Sequence, residues 1–140
     1  MPYNVRDSLM KATIALPATA TTVHSSTIDL GAPTAGAAPA TDFVAECELL
    51  VSAPALNTTQ LPSAATVTYI VEQSADGSTS FTTLAPSLIV QTGSASSGAA
   101  AATAWYRLPT NVQRYIRVSA TSASTPGDCS AASVSLEVLF

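Results

Sequence analysis

V-T-Y-I-V-E-Q-S-A-D-G-S-T-S-F-T-T-L, from Val67 to Leu84, decides the fold. Val67, Tyr69 and Val71 alternate with Thr68, Ile70 and Glu72, the two-residue period of a strand. Asp76-Gly77 marks a tight turn, because Gly tolerates positive φ and Asp bonds back to nearby backbone. Phe81 and Leu84 restart the apolar pattern, so the stretch reads as a hairpin. An isolated hairpin is marginal in water. The rest of the chain must supply the sheet in which it lies.

Working outward, the segments before the hairpin are extended. Met1–Lys11 reads as an N-terminal arm with Tyr3, Val5, Leu9 and Met10 as its apolar points. Thr13–Leu16 and Thr21–Leu30 are extended and separated by Pro17. Gly31–Thr41 is a loop by its Gly and Pro content. Phe43–Ala53 reads as the longest alternating strand, with Cys47 on its apolar face and Glu46 and Glu48 on its wetter one. Pro54–Ala65 is a second loop, its prolines barring ladder pairing.

After the hairpin, Ser87–Gln91 is expected as a further strand and Thr92–Thr103 as a low-complexity loop whose Ala run is a marginal helix. Trp105–Leu108 and Asn111–Ser119 read as strands, and Thr125–Ser130 as a turn. Ser133–Phe140 puts Val134, Leu136, Val138 and Phe140 on one face and is expected inside a sheet. About eight strands with long loops and almost no amphipathic helix imply an antiparallel sandwich or barrel. The expected organisation is an arm, residues 1–11, and one β-sandwich domain, residues 12–140.

Composition bounds the function. Apolar residues make up 47% of the 140-residue chain, but charged residues only 10%. That charge content is well below the roughly 25% of ordinary soluble domains. Such a surface suits packing against other protein, or is simply an inexpensive surface on a small β-domain. With five basic residues and a net charge of −4, no cluster tracks a phosphate backbone, so no nucleic-acid partner is expected. The N-terminus lacks the pattern of a secretory leader, and no apolar run approaches a membrane span. Cys47 reads as a small buried apolar residue; a Cys47–Cys129 bridge stays open for an exported protein. Two cysteines at this spacing do not make a metal site.

Few residues offer chemistry. His24 has Ser25, Ser26 and Asp29 near it in sequence, but strand neighbours point to opposite faces and do not make a triad. Glu46 and Glu48 share a strand face at the spacing of paired glycosidase carboxylates, although solvated carboxylates are commoner. Asp76 either shapes its turn or shares a calcium ion with Asp42 or Asp128. Trp105-Tyr106 either stacks on a sugar or sits in the core, the ordinary place for a single Trp. Arg114 and Arg117 flank Tyr115 and are expected on opposite faces, pairing with a neighbouring subunit's acid or with a local strand partner. No catalytic residue, metal or cofactor is expected.

Three segments carry a resemblance. S-T-I-D-L-G within His24–Gly31 resembles an early segment of small phage capsid cement proteins. E-Q-S-A-D-G-S-T-S-F-T-T-L (Glu72–Leu84) and R-Y-I-R-V (Arg114–Val118) resemble the central hairpin and a late strand of the same proteins. The family is that of the Bordetella phage cement protein, and order, spacing and length agree from about Ser8 onward. The resemblance implies a jelly roll on the outside of an icosahedral head. Its partners would be the major capsid protein and further copies of itself, as dimer or trimer. It implies synthesis in the host cytoplasm and a final place on the virion. The expected interface is the arm, with Tyr3, Arg6 and Leu9, joined by Arg114 and Arg117. The Ala-rich loops Gly31–Thr41 and Thr92–Thr103 depart from the family pattern. S-A-D-G-S-T-S-F and R-Y-I-R-V also resemble discoidin-type modules, which bind glycans or cell surfaces. Those usually carry Trp where this chain has Phe81, and cysteines bracketing the domain, which are missing here.

Overall fold

The computed structural model describes residues 6–31, 47–123 and 127–139. The strands are β1 (Arg6–Ala15), β2 (Thr22–His24), β3 (Ile28–Asp29), β4 (Glu48–Ala53), β5 (Thr66–Ser74), β6 (Thr82–Thr92), β7 (Ala102–Arg107), β8 (Tyr115–Ser122) and β9 (Ser133–Leu139). One antiparallel sheet runs β1-β9-β4-β7, and the other runs β2-β8-β5-β6 with β3 also beside β8. The two pack face to face as an all-β sandwich.

The two-residue period explains the packing. Val67, Tyr69 and Val71 of β5 and Ile116, Val118 and Ala120 of β8 are sealed inside one sheet face. Leu49 and Val51 of β4 and Val134, Leu136 and Val138 of β9 meet them from the other. Each fully buried Val, Leu or Ile contributes about 1.5–3 kcal/mol, so this interleaved layer is the main source of stability. β9 lies between β1 and β4, as its apolar run implies.

Several boundaries differ from the sequence reading. β1 begins at Arg6, opposite Leu139, so the segment read as an arm belongs to the first sheet from that residue on. Gly31 precedes the Ala- and Pro-rich loop, whose residues 32–41 lie outside the described residues, as do Asp42, Phe43 and Glu46. Only Glu48–Ala53 of the expected Phe43–Ala53 strand is described as strand. The longest described strand is instead β6, which absorbs Ser87–Gln91. Pro86 does not end β6, because β6 is an edge strand, where a missing N–H is tolerated. The ladder with β5 shifts register beside Val71 instead, and Ser87 takes φ 46°. The Ala run forms no helix: Ala99 exchanges two main-chain bonds with Leu56, each 2.8 Å.

One end of the sandwich closes on bare backbone. A Cβ on Gly93 would lie 2.1 Å from Pro62 O, on Gly98 2.0 Å from Leu56 O, and on Gly127 1.8 Å from Thr59 O. Three glycines thus let three segments press on the loop before β5, where Leu56 and Leu61 are fully buried. Gln91 ties this end together. Its Nε2 donates to Pro54 O and Ala100 O, and its Oε1 accepts from the Tyr69 hydroxyl at 2.6 Å. Burial pushes the Tyr69 phenol above its ordinary value.

Cys129 is at this end too, its thiol donating to Gln60 O. Cys47 stands at the other end, just before β4, with its carbonyl accepting from Leu108 N–H. β4 spans the roughly 20 Å between those ends at strand rise. A disulfide needs Cα atoms within about 7 Å, so the Cys47–Cys129 bridge left open by the sequence is excluded. Both are buried and neither is in a disulfide.

Candidate functional site

The outer face of the second sheet gathers His24, Asp29, Glu72, Arg114 and Arg117. Glu72 and Arg117 are directly opposite on β5 and β8, and Arg117 Nε donates to Glu72 Oε2 at 2.7 Å. The guanidinium carbon lies 3.5 Å from the Phe81 ring centroid, so Arg117 is stacked as well as paired. His24 Nδ1 approaches the same Glu72 oxygen at 3.2 Å. Four segments thus build one cluster from residues far apart in sequence.

Arg114 makes a two-pronged pair with Asp29, Nε to Oδ1 at 2.8 Å and Nη2 to Oδ2 at 2.7 Å. This pairing holds the Asp29 carboxyl below its usual range. The expected opposite faces for Arg114 and Arg117 fail, because Arg114 precedes β8 and escapes its alternation. Its guanidinium sits 5.0 Å from the ring of Tyr115, a residue on the same face as Arg117. Both arginines take the local-partner alternative.

The turn after β5 packs on that tyrosine, since a Cβ on Gly77 would lie 2.9 Å from the Tyr115 ring. Asp76 shapes the turn. Its Oδ1 accepts from Ser78 N–H and Thr79 N–H at 2.9 and 2.8 Å, and its Oδ2 accepts from the Thr79 hydroxyl. Thr79 and Ser78 hold the Asp76 carboxyl well below the carboxylate range, and hydrogen bonds from Ser130 lower that of Asp128. Asp128 follows Gly127 at the opposite end of the sandwich, so the two cannot share a cation. The described residues contain no metal-sized cluster of His, Cys, Asp or Glu.

These depressed carboxyls give stability a pH sign. Folding holds Asp29, Asp76 and Asp128 ionised where the unfolded chain would protonate them, near pH 4. Their contribution is complete above that pH and fades as pH falls through the lowered folded values. Thermal unfolding followed at successive pH values should show Tm falling below about pH 4, and less steeply in Asp76→Asn. Identical slopes for the two proteins would refute the role given to Asp76.

The remaining candidates separate. Tyr3 lies outside the described residues, and Arg6 and Leu9 are positions of β1. Glu48 is exposed and directly opposite Arg107. Near His24, Ser25 is buried with its hydroxyl bonded to Val118 N–H and Ser26 O, while Asp29 is held by Arg114. Ser119 is opposite His24, and its Oγ has no hydrogen-bond partner. Ser119 is fully buried, so a carboxylate, an imidazole and a serine come together with no path for a substrate to that hydroxyl.

The expectation that Trp105 is core is overturned. It is 50% exposed on the outer face of the first sheet, whereas Tyr106 turns inward and donates to Leu84 O at 3.2 Å. The two adjacent rings cannot form one sugar platform, because strand neighbours face opposite ways. The pattern was available in the sequence: Trp105 alternates in phase with Thr103 and Arg107. Across the sheet its row runs through Leu50 and Glu137 to Lys11, which pairs with Glu137 at 2.7 Å. An open pocket of about 420 Å³ lies near Leu56, Ala99 and Gln60, where the Asn57 and Gln60 side-chain oxygens accept from backbone N–H groups of each other's segment.

The chain matches no protein-family model and no curated protein.

Proposed function

We propose that this chain is a non-enzymatic structural protein of a phage particle, a cement or decoration protein on the outside of an icosahedral head. The major capsid protein is its partner, and it acts as a homo-oligomer. Burying interface across joints between capsid subunits raises the cost of separating them, and many symmetric copies multiply a modest energy per site. The strand order, with β2 and β3 counted as one strand, supports the jelly-roll form of this reading. So do the resemblances at S-T-I-D-L-G, Glu72–Leu84 and Arg114–Val118.

The observation that carries the proposal is Trp105. It is the largest exposed apolar side chain among the described residues, on a sheet face whose charges, Lys11 with Glu137 and Glu48 across from Arg107, are balanced. A flat neutral face with one aromatic anchor fits a protein partner, since Trp dominates protein interfaces.

Co-sedimentation with undecorated capsids of the source virus, with soluble glycans as competitors, tests this. Wild-type protein should bind saturably at a fixed ratio to the capsid subunit, indifferent to sugar. Trp105→Ala should bind at least about tenfold more weakly with Tm lowered by only a few degrees. Absence of shell binding would remove the proposal. Binding erased by one sugar would favour a glycan-binding module, the reading that an exposed Trp also supports.

A further inference from the structure

Joining two subunits takes two contact surfaces, and the Trp105 face supplies one. We infer that the second is the Arg117 edge on the opposite face of the sandwich, and that it takes a neutral amide of the partner, an Asn or Gln side chain or a main-chain peptide group. This inference rests on the cement reading.

A guanidinium has five N–H donors in a rigid fork. Arg117 spends Nε on Glu72, and its two terminal amino groups make no hydrogen bond among the described residues. Its side chain is 19% exposed, enough to present that edge. Glu72 uses Oε2 for both Arg117 and His24, which leaves Oε1 without a hydrogen bond among the described residues. A fork of donors therefore stands beside a free acceptor. An amide complements both, its carbonyl accepting from the fork and its N–H donating to Glu72.

Charge selects the amide over an ion. Arg117 is offset by Glu72, and the nearby Arg114 by Asp29. A carboxylate or ammonium arriving here would shed water without meeting a net opposite charge. An amide loses less hydration and recovers it in two directional bonds. Preorganisation favours the contact too. Phe81 stacked at 3.5 Å and Glu72 at 2.7 Å already hold the guanidinium, so binding freezes little further side-chain motion.

Co-sedimentation with undecorated shells from about 50 to about 500 mM salt tests this. Arg117→Lys keeps the charge opposite Glu72 but loses the fork, and should bind at least about tenfold more weakly with little change in Tm. Phe81→Leu keeps every charge but loosens the guanidinium, and should weaken binding about threefold. Wild-type affinity should change less than about threefold across the salt range, because a neutral contact is barely screened. Arg117→Lys binding like wild type would overturn the inference while leaving the cement reading intact. So would a steep loss with salt that Arg117→Lys shares, the mark of a charged partner. Failure of the wild type to bind shells would overturn both.

Discussion

Gly98→Ala should lower Tm by about 10 °C or more, the largest effect expected of a single methyl group in this chain. Two costs coincide. The new Cβ would lie 2.0 Å from Leu56 O and 2.5 Å from the Asn57 carbonyl carbon, and both are backbone atoms that no rotamer change can move. Gly98 also has φ 68°, a left-handed conformation that costs an L-residue about 1–2 kcal/mol. Overpacking adds about 1–3 kcal/mol. The total, about 3 kcal/mol, is a large part of the stability of a domain this size. Relief would require breaking the paired bonds between Leu56 and Ala99, which would undo the loop that covers the core. Thermal unfolding by circular dichroism measures it. A Tm within about 3 °C of wild type would mean that the turn is not pressed against Leu56.

Gln91→Leu is the second large effect. The substitution keeps volume and adds apolar surface, yet it leaves the Tyr69 hydroxyl, Pro54 O and Ala100 O without their partner. The buried Tyr69 hydroxyl costs about 1–3 kcal/mol when orphaned and the two part-buried carbonyls, nearer to water, cost less, so a loss of about 2–4 kcal/mol is expected. Tyr69→Phe is the control. It orphans only Gln91 Oε1, which should cost about 1–2 kcal/mol. Denaturant unfolding of the two variants ranks them. If Tyr69→Phe proves as costly as Gln91→Leu, the amide donor bonds to Pro54 and Ala100 contribute little and Gln91 is not the tie described.

Much of the architecture was legible because a two-residue period is a local property. Val67, Tyr69 and Val71, and Val134, Leu136 and Val138, announce a buried face without reference to any partner, and each proved fully buried or nearly so. The turn at Asp76-Gly77 was equally readable, since its chemistry lies within a few residues. The losses are those of long-range placement. Nothing near His24 in sequence names Glu72, because strand pairing alone brings β2 and β5 to opposite sides of β8. Gly93, Gly98 and Gly127 look like loop filler, and only the fold reveals which carbonyls they admit. The misplacement of Trp105 was different in kind. Its phase with Thr103 and Arg107 pointed outward, and the general habit of tryptophan outweighed the local pattern.

The pairing of β1 with β9 has a bearing on how the chain is made. Among the described strands β1 forms a ladder with β9 alone, and β4 gains its second partner from β9 as well. During synthesis the second sheet can assemble as soon as β8 emerges, whereas the first stays half built until β9 does. The ribosome-bound chain therefore carries a finished sheet whose inner face lacks half of its cover. Closing a ladder between such distant segments is slow. Crowded nascent copies are most exposed to mispairing in that interval.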